Sequence, residues 1–235
     1  MFDHEQALPH TFNALSAVHV PCILVDDGSG DECRRVIDGV VAANSWVDLV
    51  RRQRNGGKGA AIKDGLRRAR QAGFSHALQI DADGQHDVDD IERFLEQARL
   101  HPDWTIAGAA RFDDSVPRVR RYARQLTRVW VWINTLSFDI DDAMCGLRVY
   151  PLAEIIPILD ETRADRMDFD IEILVRLHWQ GRVVVSLPTD VTYPIDGVSH
   201  FRLGPDNVLI SLAHARLFLG MLVRLPARAW RSLQS

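Results

Sequence analysis

Asp81 and Asp83 stand one residue apart at the end of the apolar run Leu78-Gln79-Ile80, and Gly84, Gln85 and His86 follow them. In a strand, successive side chains point to opposite faces, so a terminal D-x-D carries both carboxylates on one face at the carboxyl edge of a sheet. Gly84 lets the backbone turn sharply or approach a ligand. Two hard oxygen donors with open positions suit Mg²⁺ or Mn²⁺ shared with a substrate's phosphates. The competing reading is an Asx-rich turn after a strand.

Three further stretches carry candidate chemistry. Cys22-Ile23-Leu24-Val25 runs into Asp26-Asp27-Gly28-Ser29-Gly30, the pattern of a buried strand with a phosphate- or nucleotide-facing turn after it. Asn55-Gly56-Gly57-Lys58-Gly59 opens a helix. It lacks the G-x-x-x-x-G-K-[ST] spacing of a P-loop, but its bare N–H groups and one cation suit an anion; a tight turn with a helix cap is the alternative. Asp168, Asp170 and Glu172 sit at another helix start, where acids complement the macrodipole and where a general base could be presented.

These residues need elements to position them. The pattern predicts helices over 3–19, 31–43, from the glycine-rich stretch to about 72, and over 87–100, 166–180 and 207–225. It predicts strands over 22–25, 47–50, 78–80, 104–109, 183–187 and 190–193, with a loop at 141–148. Alternating strands and helices with short loops indicate an α/β fold with a mostly parallel sheet. Ligands then gather beyond the carboxyl ends of the strands, where Asp26, Asp27, Asp81 and Asp83 lie. Residues 1–203 read as one domain and 204–235 as an amphipathic helix and tail.

The stretch 115–138 holds Arg118, Arg120, Arg121, Arg124 and Arg128 without an acid, and Val129-Trp130-Val131-Trp132-Ile133 follows. Such a helix could lie on a membrane surface, grip an anionic acceptor, or be a solvated basic face over a core stripe. The last helix could dock on the core or lie in a lipid interface. The net charge of −4 over 235 residues carries no polybasic signal for nucleic acid. Cys22, Cys33 and Cys145 show neither zinc spacing nor a disulfide framework and read as reduced thiols of a cytoplasmic protein. No signal peptide and no apolar run of bilayer-spanning length is expected.

Taken in order, Val25-Asp26-Asp27-Gly28-Ser29, Asn55-x-Gly57-Lys58-Gly59, Asp81-Ala82-Asp83-Gly84-Gln85 and Cys145-Gly146-Leu147-Arg148 resemble a family-2 glycosyltransferase of the GT-A fold. The branch is that of dolichyl-phosphate mannosyltransferases and bacterial relatives, and the resemblance covers roughly 2–202. It implies a Rossmann-like mixed sheet flanked by helices. It also implies an inverting, metal-dependent transfer of sugar from a UDP- or GDP-linked donor to a lipid or lipid-linked acceptor at the cytoplasmic membrane face. Asp26, Asp27, Lys58, Asp81 and Arg111 would bind the nucleotide-sugar. Asp81, Asp83 and Gln85 would hold Mg²⁺ or Mn²⁺, and Arg121, Arg124 and His200 would face the acceptor.

Two departures stand out. Phe2-Asp3-His4-Glu5 resembles the tail of the family's first strand segment, and the strand before it is absent, which predicts unpaired backbone on two neighbouring strands. Pro194-x-x-Gly197-x-Ser199-His200 stands where the dolichyl-phosphate enzymes carry R-x-x-G-x-S-K. A lipid phosphate needs no base but a hydroxyl acceptor does, and Asp170 lies where other members carry a catalytic acid, so the reading leans to a hydroxyl acceptor with Asp170 as base. A non-catalytic nucleotide-sugar-binding relative and a sugar-phosphate nucleotidyltransferase are the alternatives.

Overall fold

A computed structural model describes residues 1–112, 118–192 and 201–232. The chain opens with α1 (Ala7–Leu15) and a single 3₁₀ turn. It continues through β1 (Cys22–Asp26), α2 (Asp31–Ala43), β2 (Val47–Arg51), α3 (Lys58–Gln71), β3 (His76–Gln79), α4 (Asp90–Leu100), β4 (Thr105–Phe112) and α5 (Arg118–Thr135). Then come β5 (Arg148–Pro151), α6 (Leu152–Leu159), α7 (Phe169–Trp179), β6 (Val184–Val191) and α8 (Leu203–Ser232).

The strands form two sheets. β1 pairs parallel with β2, and the other four run in the order β3-β5-β4-β6. β4 and β6 are parallel, while β5 runs antiparallel to both its neighbours. Among the described residues the strand β1 pairs only with β2 and β3 only with β5; the other side of β1 is met at its end by Met1, which bonds to Val25 carbonyl and Asp27 N–H.

Helices cover the sheets with three apolar clusters. α1 and α2 close over β1 and β2 through Leu8, Phe12, Leu24 and Ile37. α4 packs Ile91 and Phe94 on Ile106 and Val149. α7 is buried on every side from Phe169 to Val175, the mark of a helix sandwiched between layers. It meets α3, α6 and β5 around Tyr150, Ile155 and Leu66. Truncating a core side chain such as Phe169 to alanine costs about 3–5 kcal/mol, and that rigidity holds the start of α7 in place.

Several expectations change. β3 ends at Gln79, opposite Arg148, so Asp81 and Asp83 lie in the following turn, where strand alternation no longer sets their directions. The strand opposite, β5, begins only at Arg148, after the bend at Gly146. The expected loop ends in a strand, β5, and α6 follows it. β6 is one strand rather than two, running through Pro188. Thr105 N–H bonds to the Val183 carbonyl, 3.0 Å, and by alternation Pro188 points outward, where a missing N–H breaks no ladder bond. α8 is longer than 207–225, and Leu203–Leu225, at mean hydropathy 1.7, is long and apolar enough to cross a membrane, with 28% of that window buried. Scattered polar residues concealed it from a search for an uninterrupted apolar run. The tail of the second expected 190–193 strand and the motif 194–200, with His200, lie outside the described residues.

Candidate functional site

The two acids after β1 do different work. Asp26, fully buried, accepts from Ser29 N–H at 2.9 Å and pairs with Arg51 at 3.1 Å. It shapes the turn and ties β1 to β2. Asp27 accepts from the N–H groups of Gly56 at 2.9 Å and Gly57 at 2.8 Å, and it lines a large cavity that extends between β1 and β3 to their carboxyl ends. Gly57 sits at φ +102°, where a Cβ would also run into the Asp165 carbonyl, so only glycine fits this entry to α3. The clamp on the loop places Lys58 as the first residue of α3.

Lys58 Nζ donates to Asp81 Oδ2 at 2.7 Å and lies 2.8 Å from Asp170 Oδ2. Burial works against its charge, but Asp170 and Asp81 outweigh burial and hold the ammonium protonated well above the ordinary lysine range. Burial likewise opposes charge on Asp81, yet Lys58, helped by His86, pulls its carboxyl well below the usual carboxylate range. A Cβ on Gly146 would fall on the Asp81 carboxylate, so the Cys145-Gly146 turn seats this acid.

Asp83 accepts from Gln85 N–H at 3.1 Å and from its amide Nε2 at 2.5 Å. Burial and the charge of Asp81 both raise its pKa. The loop is held from beyond: Gln85 carbonyl accepts from Thr192 N–H at 3.0 Å, and His86 bridges to Val191. Among the described residues no three His, Cys, Asp or Glu side chains converge as a closed metal cage. Two carboxylates that repel each other could hold instead a hard cation that takes its remaining ligands from water and a diphosphate; Gln85 now turns its amide nitrogen to Asp83, and its oxygen would face such a cation only after the amide rotates. His86, which carried no sequence-derived role, stands 4.0 Å from Asp81 Oδ2 with its buried Nδ1 unpartnered.

Asp170 is nearly inaccessible. Besides Lys58, its carboxylate meets Gln79 Nε2 and Arg148 Nη1, each at 3.5 Å. Arg148 is completely buried. It donates to the carbonyls of Ala143 (3.0 Å), Cys145 (2.9 Å) and Asp170 (2.9 Å) and to Tyr150 hydroxyl (3.1 Å). Tyr150 in turn donates to Gln79 Oε1 at 3.3 Å. The Cys-Gly-Leu-Arg stretch therefore supplies a buried cation that locks the start of α7 to the sheet, a role for Arg148 that its motif marked but did not describe.

The candidate donor-binding Arg111 and the candidate acceptor-binding Arg121 and Arg124 separate. Arg124 lines the cavity, braced by Asp142 at 2.8 Å and stacked over the Phe112 ring at 4.8 Å. Asp142, unforeseen from the sequence, also accepts from Ala110 and Met144 N–H. Arg121 is half-buried, and Arg111 is exposed opposite Asp190 at the end of β4; neither lines the cavity. The cavity, of about 1660 Å³ including the space between β1 and β3, reaches from there past Asp27, Lys58 and Asp81 to Leu126 and Trp130 of α5 and Ile210 of α8. Beyond it α5 and α8 present Tyr122, Leu126, Val208, Leu212, Leu219 and Val223 to solvent.

Comparison with known proteins places this geometry. The pattern of glycosyl transferase family 2 matches residues 1–156. The polyprenol monophosphomannose synthase of Mycolicibacterium smegmatis is 28% identical over 204 residues, covering 80% of this chain and 71% of that protein. The dolichyl-phosphate beta-glucosyltransferase of Dictyostelium discoideum is 25% identical over 162 residues, 65% of this chain and 49% of that longer protein. Among solved structures, glucosyl-3-phosphoglycerate synthase from Mycobacterium tuberculosis, in complex with Mn²⁺, uridine-diphosphate and phosphoglyceric acid, superposes with a TM-score of 0.66. It is 14% identical, over 94% of this chain and 75% of that one, a likeness of GT-A fold.

Proposed function

Because the chain belongs to glycosyl transferase family 2, we propose that it moves a sugar from a nucleotide-sugar donor to a polyprenyl-type lipid phosphate, with inversion, at the cytoplasmic face of a membrane. One observation carries the acceptor assignment. A single cavity joins the Asp27–Lys58–Asp81 cluster to the apolar wall of α5 and α8, so a phosphate at one end and a hydrocarbon chain at the other are accommodated together. The relatives named for polyprenol and dolichyl phosphate support the same class.

In this reading the donor's nucleoside diphosphate lies over the Asp27-clamped glycine loop. An acceptor phosphate oxygen, already anionic, attacks the anomeric carbon. The new C–O bond forms as the bond to the diphosphate breaks, the configuration inverts, and no proton is transferred. Asp81, Asp83 and Gln85 would hold Mg²⁺ or Mn²⁺, which when bound neutralises charge on the departing diphosphate. Lys58 supplies a fixed ammonium beside the same oxygens, and a preorganised charge of this kind favours the transition state over the ground state. Arg124, braced by Asp142, steers the acceptor phosphate. Asp170, with its carboxylate engaged by Lys58, Arg148 and Gln79, orients Lys58 rather than serving as a base. Residues 1–203 form the catalytic unit, and α8 with the exposed face of α5 is the membrane-facing part.

Calorimetric titration with UDP and GDP, each with and without Mn²⁺, tests the donor site, with Asp83→Ala as control. Metal-dependent binding of one nucleotide, lost in the variant, is expected; no binding by folded protein overturns the reading. Turnover with a polyprenyl phosphate then separates the transferase from a nucleotide-sugar-binding relative. Flotation with anionic vesicles, reversed by salt, tests the membrane face.

A further inference from the structure

Among the described residues, the lysines and arginines that line the cavity are Lys58, Arg124, Arg166 and Arg202. Lys58 stands between two carboxylates, Asp81 and Asp170, and Arg124 is matched by Asp142. Arg166 and Arg202 share a single carboxylate, that of Asp206. Positive charge is therefore in excess at this place on the cavity wall, and an anion is the ligand that balances it.

The pair is held from two sides. Asp206, in the first turn of α8, is fully buried. It accepts from Arg202 N–H at 2.7 Å and from Arg166 Nε at 3.1 Å, and Arg202 Nη2 lies 4.0 Å from the same carboxylate. A carboxylate taken out of water needs such partners. Arg166 starts from the opposite wall. Its Cα and Cγ pack on Gly57, where an added Cβ would crowd them. The neighbouring Asp165 carbonyl accepts from Ala60 N–H at 2.9 Å, which pins this backbone to the start of α3. The Arg166 side chain thus spans from the glycine loop to the head of α8. With Nε engaged by Asp206, Nη1 and Nη2 have no partner among the described residues and present a planar fork of donors to a second anion.

We propose that Arg166 and Arg202 bind the phosphate of the lipid acceptor, with Asp206 as the positioning residue that aims Arg166. The assignment rests on the acceptor reading above and adds a second anchor to Arg124. The wall beside the pair is apolar: Phe201, Leu203 and Ile210 line the same cavity, so a hydrocarbon chain leaving the phosphate meets α8. The donor's diphosphate has its own cation in Lys58, whereas the Arg166 guanidinium is held to the head of α8. Asp206 belongs to α8 and Arg166 to the stretch ahead of α7, so the site is complete only with α8 seated against the domain.

Calorimetric titration with farnesyl phosphate, a short prenyl monophosphate, tests this on the 235-residue chain and on its variants. Arg166→Gln should raise Kd roughly ten-fold or more, the scale of a lost charge-assisted contact. Arg166→Lys should recover only part of that, since an ammonium keeps the charge but not the fork. Arg202 is 56% exposed, so Arg202→Gln probes the site without disturbing the core and should raise Kd roughly three-fold or more. Farnesol, without the phosphate, should bind all four chains alike, and binding of UDP or GDP with Mn²⁺ should be unchanged. Asp206→Asn should raise KM for polyprenyl phosphate and leave kcat nearly unchanged, a split that general loosening of the fold would not give. Unchanged affinity for farnesyl phosphate in folded Arg166→Gln and Arg202→Gln overturns the proposal, as does no binding by the unsubstituted chain. Loss of nucleotide binding in place of farnesyl phosphate binding moves the site to the donor and overturns it too. Arginine-dependent binding without turnover would remove the transferase reading and leave this site standing; turnover with full affinity in both glutamine variants would do the reverse.

Discussion

The Lys58 ammonium lies 2.8 Å from the Asp170 carboxylate, although the two residues begin different helices more than a hundred positions apart in the chain. The same nitrogen reaches Asp81 at 2.7 Å. One cation thus couples the acid at the start of α7 to the turn after β3, and the candidate base and the candidate metal ligand belong to one electrostatic unit.

That coupling predicts non-additivity. Asp170→Asn and Lys58→Met should each lower kcat/KM by roughly 10²–10³-fold, the scale of a lost preorganised charge. The double variant should be little worse than either, since residues in one network do not add. Steady-state kinetics with donor and polyprenyl phosphate measure this. Turnover with a hydroxyl acceptor, lost in Asp170→Asn but kept in Lys58→Met, would instead mark Asp170 as a general base.

Gly146→Ala should displace Asp81, because the added Cβ occupies the carboxylate's position. Metal-dependent nucleotide binding should weaken at least ten-fold by calorimetry, while far-ultraviolet circular dichroism stays unchanged. Intact binding would show that Asp81 has room to move aside.

Arg148→Met leaves the Ala143 and Cys145 carbonyls and the Asp170 carboxylate without their buried partner. Breaking a buried charged network in this way costs about 3–5 kcal/mol. Urea unfolding followed by circular dichroism should show a loss of that size. A loss under about 1 kcal/mol would mean that these groups find other partners.

His214 of α8 is buried beside Asn134 and the Trp130 ring, and burial pushes its pKa from 6.5 down to about 4. The folded imidazole therefore stays neutral over a range where the unfolded one takes up a proton. Its contribution is fully present above about pH 6.5 and is lost as pH falls toward 4. Between pH 7 and 5 the loss is about 2 kcal/mol, or roughly 4–8 °C in Tm for a chain of this size. Thermal melts at the two pH values should differ by less in His214→Gln.

Local patterns were legible where local physics decides. α2 runs from Asp31 to Ala43 as predicted, because Gly30 precedes it, two acids open it and its apolar period is clean. The inward Leu8, Phe12 and Leu15 of α1 were equally plain. β5 was hidden because its four residues include Arg148, a charge that looks like loop and is in fact buried. The roles of Asp26 and Asp27 were merged in the sequence, since neighbouring acids read alike. Only the partners, Arg51 for one and the Gly56-Gly57 N–H groups for the other, divide them.

The sequence by itself determined the family, the GT-A class and the order of motifs, because these follow from residue type, spacing and hydrophobic period along the chain. The tertiary structure alone decided that Lys58 bridges Asp81 and Asp170, that Arg148 lies buried beneath them, and that Arg124 faces the cavity while Arg111 does not. The reason is physical. A side chain's charge state and reach depend on neighbours brought from distant parts of the chain and on the water that folding excludes, and neither is encoded in any single stretch.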